Sequence, residues 1–525
     1  MDRFLIEKDS YFDSVFLMLI NSQIKKQEGI ADAVVAMGTE MNLELLAEMK
    51  LWDPRLDEVG PNDLVIAVRG EDEELLEQAI SAAQKMISKK TQRSEGQAFV
   101  PRTLRAALRE IPEANLVIVS LPGQYAAREA RKALLNGLHV MLFSDNVSLE
   151  EEIELKKLAV ERGLLMMGPD CGTAIINGVP LCFANVVRQG TIGLAGASGT
   201  GLQEVTCLID TFGGGISQAI GTGGRDLKNR EVGGRMMLQA IEALKNDKNT
   251  TVITVISKPP APEVAGTVLE ALEKSGKPSV VHFIGLQGEK GHGDLHFASN
   301  LEETARMAVA LSRSEAWLPQ EYSLPPEEIR VILEHETDGM SPKQKYLRGL
   351  FTGGTLADEA LFLLEERLGR IYSNNQNTEE LQLKDPRASR EHSIVDLGDD
   401  LYTVGRAHPM IDPSTRVERI LRESEDPEVA ILLLDVVIGY GSHADPAGAI
   451  LAALDEARRK AQERGGYLPV IASVIGTPGD FQSYQQTFEK LESIGCIVMP
   501  SNYQATRLAA DMLAAIGKRK EADHG

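Results

Sequence analysis

The feature that most constrains the fold of this chain is a regular alternation of short apolar runs with longer stretches of helical spacing. The apolar runs are rich in Val, Ile and Leu and occupy residues 33–37, 64–68, 116–120, 140–143, 164–167, 191–195, 251–256, 279–284, 346–351, 393–397, 430–437, 470–475 and 496–499. Fully apolar strands separated by helices are typical of parallel sheets that are covered on both faces. The sequence therefore predicts an α/β fold built from several parallel-sheet units of the Rossmann or flavodoxin type.

Composition excludes several classes of protein. The 525 residues carry 55 Lys and Arg against 77 Asp and Glu, and the net charge of −22 argues against an extended nucleic-acid or anionic-membrane surface. The four cysteines form no Cys-x-x-Cys pair, so neither a disulfide scaffold nor a zinc ribbon is indicated. No basic N-terminal stretch leads into a long apolar run, and no run reaches the ~18 residues of a membrane span. We expect a cytoplasmic protein with a small-molecule substrate, no metal, and no nucleic-acid or membrane partner.

Breaks in the pattern predict four domains, in line with about 150 residues per domain. A polar stretch at 88–97 and a short polar stretch at 188–190 mark two boundaries. The clearest linker, 316–342, holds three prolines among charged residues. The predicted domains are an N-terminal α/β region at 1–95, a Rossmann-type domain at 96–187, and two flavodoxin-like domains at 188–320 and 340–517.

One loop is the strongest candidate for a ligand site. The apolar run at 191–195 leads through Ser198, Gly199, Thr200 and Gly201 directly into an amphipathic helix. Glycines let the backbone approach a ligand closely, and a helix start offers unpaired N–H groups and the positive end of the helix dipole. The pattern favours an anion, above all phosphate, although a Ser or Thr that only caps a tight turn has the same pattern. The segment is not a P-loop, because no Gly-Lys-Ser/Thr follows.

Three more glycine-rich turns follow predicted strands. They contribute the candidate ligand residues Gly223, Gly224 and Arg225, then Gly353, Gly354 and Thr355, and finally Gly441, Ser442 and His443. Open parallel sheets bind ligands at the carboxyl ends of their strands, where all of these turns are expected to lie. Their recurrence strengthens the prediction of a phosphate site.

Further side chains are candidates with an open alternative. Lys258 ends an apolar run and is either an anion contact or a solvated base, while His292, in a glycine loop that begins at Lys290, is either functional or simply exposed. Arg406 and His408 stand among carboxylates, where they either contact a ligand or cap a loop. Cys171 is expected to be structural.

Longer motifs resemble one known family. They lie at residues 11–15 (YFDSV), 141–148 (MLFSDNVS), 167–173 (MGPDCGT), 196–201 (GASGTG), 221–227 (GTGGRDL), 350–357 (LFTGGTLA), 396–400 (DLGDD), 408–413 (HPMIDP) and 434–437 (LDVV). In this order the motifs resemble the FdrA family, which is related to succinyl-CoA synthetase, over most of the chain.

The resemblance implies an architecture. Residues 96–320 correspond to the α subunit of succinyl-CoA synthetase, a CoA-binding-like domain followed by a flavodoxin-like ligase domain. Residues 340–517 correspond to the C-terminal domain of its β subunit, and no ATP-grasp domain is expected in this chain. In that enzyme two helix N-termini face one phosphorylated histidine, and the matching positions here are 198–201 and 439–445.

The departures from that enzyme are also informative. Its strand-end Glu corresponds to Ser257 and Lys258, and its histidine loop is matched only loosely, around His292. Its CoA-diphosphate loop has no clear counterpart. The resemblance therefore implies a phosphate site without the full apparatus for charging a histidine and capturing CoA.

Three functions follow as expectations. The first is a subunit of a phosphate-dependent acyl or carbamoyl transferase, which interconverts a carbamoylated (ureido) substrate plus phosphate with carbamoyl phosphate, as in the oxamate carbamoyltransferase of allantoin degradation. The catalytic candidates are Thr200 and Lys258, together with His292 as the phosphorylatable histidine that the alternative below needs. No cofactor is evidently required, with CoA an optional ligand. The alternative is an ADP-forming acyl-CoA synthetase whose ATP-grasp activity lies on a partner chain, and the third is a non-catalytic scaffold or ligand sensor. A homo-oligomer or a complex with separately encoded subunits is expected.

Overall fold

The structure is a computed structural model that describes residues 1–92, 101, 103–286, 291–385, 387–403 and 406–524. The chain divides into two compact units. The first holds residues 1–111 and 397–415, and the second holds residues 112–396 and 416–525.

The first unit contains a three-stranded sheet. Its elements up to residue 111 are β1 (Asp2–Glu7), α1 (Ser14–Lys25), β2 (Ile30–Met37), α2 (Glu40–Glu48), β3 (Leu64–Gly70), α3 (Glu73–Gln92) and α4 (Leu104–Glu110). The strand order is β1-β3-β2, and both pairs are antiparallel. The expectation of parallel pairing is wrong for this unit: the segment that joins β2 to β3 begins and ends at the same end of the sheet, where Met37 pairs with Leu64.

The second unit contains three sheets. The remaining elements are β4 (Leu116–Val119), α5 (Gly123–Leu135), β5 (His139–Leu142), α6 (Leu149–Glu161), β6 (Met166–Met167), β7 (Thr173–Ile176), β8 (Val179–Cys182), β9 (Gln189–Ala197), α7 (Gly199–Thr211), β10 (Ile216–Gly221), α8 (Arg235–Asn246), β11 (Val252–Ser257), α9 (Pro262–Glu273), β12 (Ser279–Phe283), β13 (Leu295–Phe297), α10 (Leu301–Ser312), α11 (Pro326–Thr337), β14 (Tyr346–Phe351), α12 (Gly354–Leu368), β15 (Tyr372–Ser373), β16 (Ser393–Asp396), α13 (Asp400–Thr403, in the first unit), α14 (Ser414–Glu423), β17 (Val429–Val437), α15 (Gly448–Glu463), β18 (Val470–Ile475), α16 (Tyr484–Ser493), β19 (Ile497–Met499) and α17 (Asn502–His524).

Parallel pairing dominates these sheets. Their strand orders are β4-β5-β6, β13-β12-β11-β9-β10-β7-β8 and β15-β16-β14-β17-β18-β19. Every pair is parallel except those of β7, which runs antiparallel to β10 and to β8. The predicted α/β class with several parallel sheets is confirmed, and no ATP-grasp domain is identified in the described ranges.

Helix α7 lies at the centre of the second unit. Every residue from Thr200 to Asp210 is buried, so this helix is enclosed on all sides rather than on one face. It packs against α10 and α12 as well as against the strands of its own sheet. The start of α7 therefore has a position set by tertiary contacts from several elements.

A fully buried ion cluster joins α6 to the turn after β10. The Lys156 ammonium lies 2.8 Å from Glu152 and 2.9 Å from Asp226, and it donates to the Thr222 carbonyl at 2.9 Å. A buried ammonium needs such partners, because its desolvation is otherwise very costly. The cluster fixes the turn that carries three of the predicted ligand residues.

One negative finding concerns membranes. Across the described ranges, no helix combines the length and the apolar character that are needed to cross a bilayer.

Candidate functional site

Two helix N-termini meet inside the second unit. Ser198 caps α7, and its hydroxyl accepts from the N–H of Gly201 at 3.2 Å. Gly353 occupies the same position before α12. The hydroxyls of Ser198 and Thr355 are 2.8 Å apart, and the N–H of Thr355 donates to the Thr200 hydroxyl at 3.3 Å. Two of the four predicted glycine-rich turns are therefore in direct contact.

This contact requires residues without side chains. A Cβ on Gly201 would lie 2.2 Å from the Ser198 Oγ and 3.0 Å from the Thr355 Cγ2. A Cβ on Gly353 would lie 3.0 Å from the Cβ of Thr200. All three distances are shorter than normal van der Waals contacts, so glycine is needed here for the close approach of the two helices.

A fully buried carboxylate holds the start of α12. Asp435, in the middle of β17, accepts from the N–H groups of Thr352 and Gly353 at 2.9 and 2.7 Å, and from the guanidinium of Arg416. Sequence reasoning missed Asp435 as a site residue. The available signal was a carboxylate inside an otherwise apolar run, because a buried charge is retained only where it is paired.

Neighbouring helix starts receive buried carboxylates from other elements. Glu359 of α12 accepts from the first N–H of α10 at 2.8 Å, and Glu204 of α7 accepts from the first N–H of α17 at 3.0 Å. Such a carboxylate satisfies an orphan donor and opposes the positive end of the helix dipole. Among the described residues, the start of α7 is served only by the neutral Ser198 hydroxyl. Among the starts of α7, α10, α12 and α17, that of α7 is therefore the one whose positive dipole end is offset least by negative charge.

Burial shifts the acid strength of two of these carboxyls. Burial raises the pKa of Glu204 to about 8, and the neighbouring carboxylates of Glu359, Glu302 and Asp435 add to the rise. Burial likewise raises the pKa of Glu359 to about 7, while the hydrogen bonds from the Leu301 N–H and from α17 oppose the rise. Near pH 7 the two carboxyls are therefore only partly ionised.

Lys258, just after β11, is paired. Its ammonium lies 2.8 Å from the Asp358 carboxylate, and its side chain is 32% exposed. Burial by itself lowers the pKa of Lys258, but the carboxylates of Asp358, Asp396 and Asp170 outweigh burial and raise it well above its usual value. Because three carboxylates act on one ammonium, this region is acidic, and a role for Lys258 as an anion contact stays a prediction.

The turn after β10 packs against the loop that follows β6. Gly223 has a φ of +89°, and a Cβ there would lie 2.5 Å from the Pro169 carbonyl oxygen, so the turn requires glycine. A Cβ on the next glycine, Gly224, would lie 3.7 Å from an Asp170 carboxylate oxygen. Arg225 lies 2.8 Å from Glu152 and donates to the carbonyl of residue 147, so it ties this turn to the region of α6.

The turn that holds Gly441, Ser442 and His443 packs elsewhere. The N–H of Tyr440 donates to the Ala184 carbonyl at 2.8 Å, and the Gly439 N–H donates to a Gln482 side chain. The turn in contact with the start of α7 is the one before α12. That 198–201 and 439–445 face one histidine, as the resemblance implies, stays a prediction. Ligand binding at Gly441, Ser442 and His443 stays a prediction.

The other candidates make contacts of their own. His292 has a side chain that is 68% exposed, and its Nε2 lies 2.6 Å from Glu273; Lys290, in the same loop, lies outside the described residues. Arg406 donates to Thr415 at 3.2 Å, and His408 accepts from a backbone N–H; both belong to the first unit. Burial raises the pKa of the Cys171 thiol to about 12, in agreement with a structural cysteine.

Three family models match this chain. The model of the CoA-ligase domain matches residues 350–512, and that of the CoA binding domain matches residues 187–310. A third model, described as AllF, heavy metal-associated domain, matches residues 1–101. The CoA binding match falls on residues that the sequence assigned to a ligase-like domain, so the domain limits stay a prediction.

Several curated proteins are similar to the chain. The uncharacterized protein YahF of Escherichia coli (strain K12) is 45% identical over 513 residues, which are 97% of this chain and 98% of YahF. The ADP-forming sulfoacetate-CoA ligase subunit SauD of Bilophila wadsworthia is 25% identical over 35% of this chain and 64% of SauD. The alpha subunit of the ADP-forming succinate–CoA ligase of Methanothermobacter thermautotrophicus is 22% identical over 42% of this chain and 75% of that subunit.

Solved structures are similar only remotely. ATP citrate lyase from Methanothrix soehngenii, in complex with citrate and coenzyme A, is 13% identical over 80% of this chain and 86% of that chain, with a TM-score of 0.34. A likeness of this size places no residue of the site.

The sheets, the paired helix starts and the family models together define a CoA-ligase-like α/β protein, similar to the alpha subunits of succinate–CoA ligases. The match to YahF, at 45% identity over 97% of the chain, identifies the family within this class. The chain belongs to the FdrA family of acyl-CoA synthetase-like proteins.

The heavy-metal description of the N-terminal family model does not fit the residues present. Residues 1–101 contain no Cys and no His, so of the usual ligands of soft metal ions only methionine thioethers are present. Within the described ranges, no three His, Cys, Asp or Glu side chains are grouped as metal ligands.

We predict that Gly201→Ala opens the junction. The added methyl overlaps the Ser198 and Thr355 side chains, so the free energy of unfolding should fall by about 1–3 kcal/mol. Gly266→Ala, in α9, meets nothing within 4 Å and is the matched control; it should gain roughly 0.5–1 kcal/mol. Thermal denaturation of both variants tests this, and a Gly201→Ala protein as stable as the control would contradict it.

The buried carboxyls also predict a pH dependence of stability. Both pKa values lie above the ordinary value of about 4.3, so the native state holds more protons than the unfolded state between about pH 4.5 and 8. Stability should therefore be fully favoured below this window and should fall as the pH rises through it.

Glu204→Gln should reduce this fall. At pH 8.5 the variant should melt at least about 3 °C above the wild type, because it buries no charge at this position. Glu161→Gln, at an exposed position at the end of α6, is the control. Equal slopes of melting temperature against pH in the wild type and in Glu204→Gln would refute the assignment.

Proposed function

We propose that the chain is a subunit of a phosphate-dependent carbamoyl transferase, which interconverts a ureido substrate plus phosphate with an amine plus carbamoyl phosphate. The observation that carries the proposal is the start of α7: in the described part of the chain its hydrogen bonds are to neutral hydroxyls, whereas neighbouring helix starts are bonded to carboxylates. A phosphate at this start would supply the missing negative charge. The N–H groups of Gly199 and Thr200, which have no acceptor within the helix, would donate to it.

The chemistry needs no covalent enzyme intermediate. An oxygen of hydrogenphosphate attacks the carbamoyl carbon, the bond from that carbon to the substituted ureido nitrogen breaks, and the leaving amine takes the proton of hydrogenphosphate. Negative charge develops on the carbamoyl oxygen during the attack. Backbone N–H groups and the helix dipole stabilise such charge best where they are held in place before the reaction, as the junction holds them here.

The acidic surroundings of Lys258 favour a carbamoyl group over a thioester. A Cβ on Gly354, the first residue of α12, would lie 2.5 Å from an Asp396 oxygen and 3.4 Å from the Lys258 ammonium. Carboxylates so close to the helix start are hydrogen-bond acceptors for the N–H groups that a carbamoyl group carries and an acyl thioester lacks. This neighbourhood supports recognition of a ureido substrate.

Replacement of Thr200 tests the proposal. Thr200→Val keeps the shape of the side chain but removes the hydroxyl that accepts from Thr355, so we expect at least a tenfold loss in phosphate affinity or turnover. Thermal-shift titrations with phosphate, carbamoyl phosphate and CoA measure the affinity, because a ligand at 100 Kd stabilises the native state by about 2.7 kcal/mol.

Thr267→Val is the control for this titration, because Thr267 is exposed on α9 and its hydroxyl bonds only within that helix. Unchanged affinity in Thr200→Val, or a wild type stabilised by CoA but not by carbamoyl phosphate, would overturn the proposal.

A second candidate function is an ADP-forming acyl-CoA ligase with the ATP-grasp activity on a partner subunit. The CoA-ligase and CoA binding family models support it, and so do relatives that are named as subunits of ADP-forming ligases. In this function CoA is a substrate, and His292 is the candidate phosphate carrier.

Intact-mass measurement distinguishes the two functions. After incubation with ATP and a co-purified ATP-grasp subunit, the ligase should carry one phosphate that is lost in His292→Gln and kept in the neighbouring His296→Gln. Absence of phosphate from the wild type, or its retention in His292→Gln, would count against the ligase.

A further inference from the structure

One buried residue joins the two helices whose starts form the candidate site. Asn502, the first residue of α17, is fully buried. Its backbone N–H donates to Glu204 of α7 at 3.0 Å. Its side-chain Nδ2 donates to Glu359 of α12 at 2.7 Å and to the carbonyl of Leu356 of α12 at 3.1 Å. A single residue therefore bonds to α7 through its backbone and to α12 through its side chain.

The place of these bonds along the helices matters. Glu204 lies in the second turn of α7, and the bonds to α12 fall within its first two turns. The Ser198–Thr355 hydroxyl pair joins the same two helices at their very starts. One point of contact would let the helices pivot about it, whereas two points fix both their separation and their angle.

We infer that Asn502 is a positioning residue for the phosphate site, which sets the relative placement of the starts of α7 and α12 without touching the ligand. What the site binds rests on the proposed function, but the joining of the two helices does not. A shift of about 1 Å in groups that surround a reacting centre can cost about 100-fold in rate, so such a positioning role is functionally large.

The chain offers a matched control two residues away. Gln504 is equally buried, is also a side-chain amide on α17, and also donates to a buried carboxylate, Glu302, at 2.9 Å. Its other side-chain bonds, to the hydroxyl and from the N–H of Ser323, both at 2.9 Å, lead away from the site. Loss of the Gln504 amide should therefore lower stability without moving α7 against α12.

The test compares Asn502→Leu with Gln504→Leu in the full-length chain. Hydrogen–deuterium exchange of the peptides 198–204 and 353–359 reports the junction directly, and calorimetric titration with inorganic phosphate reports the site. We expect exchange to rise at least tenfold and phosphate affinity to fall at least tenfold in Asn502→Leu. In Gln504→Leu the exchange rate at the junction and the phosphate affinity should both stay within about twofold of the wild type. The loss of melting temperature should be similar to that of Asn502→Leu.

A double variant separates positioning from general stability. In Asn502→Leu the Glu359 carboxylate loses one of its donors, and Asn502→Leu/Glu359→Leu removes that poorly paired acid. The double variant should regain melting temperature but keep the fast exchange and the weak phosphate binding. It also keeps the test valid if the single variant does not fold.

The outcomes are distinct. Equal exchange at the junction in the Asn502 and Gln504 variants, or recovery of phosphate affinity together with stability in the double variant, would overturn the inference. If fast exchange is confined to the Asn502 variants and the wild type itself binds no phosphate, the positioning role is supported and the proposed function is refuted.

Discussion

The structure depends on the close approach of two helix N-termini, those of α7 and α12, whose side-chain hydroxyls lie within hydrogen-bonding distance. Each N-terminus is the positive end of its helix dipole. Because like ends of helix dipoles repel, this arrangement must be offset by other contacts. Glycines at 201 and 353 allow the approach, the hydroxyls of Ser198 and Thr355 satisfy each other across it, and Asp435 neutralises one of the two ends. The junction sits on a helix that is buried from Thr200 to Asp210 and that packs against α10, α12 and the strands of its own sheet.

Helix starts also account for several of the carboxylates that are buried near the centre of the second unit. Glu204, Glu359 and Asp435 each lie at the N–H groups of a helix start, where a negative charge is worth most. Desolvation still raises the pKa of Glu204 and Glu359, so hydrogen bonds from the helix starts offset only part of the desolvation cost of the two carboxylates. As a result, the native state is less stable at alkaline pH. The buried carboxylates also fix the directions of these helices without bulky side chains near the site.

Anion binding in such a site would rely on backbone groups rather than on basic side chains. Lys258 is paired with Asp358, and Arg225 is paired with Glu152. A strongly acidic chain can therefore hold a phosphate through N–H groups and a helix dipole while its surface as a whole repels polyanions.

The sequence by itself determined the α/β class and the location of the strands, because each of the thirteen apolar runs overlaps a strand and buried parallel strands are nearly all apolar. It missed β1, β7, β8, β13 and β15, which are short or only partly buried, and β10, in which Ser217 and Gln218 interrupt the apolar run. It could not show that the first unit is antiparallel, since pairing direction depends on where a connection returns. It also located the glycine turns before α7 and α12. Only the tertiary structure decided which turns meet and that Asp435, Glu204 and Asn502 hold them, because these contacts join residues more than eighty positions apart and leave no local pattern in the chain.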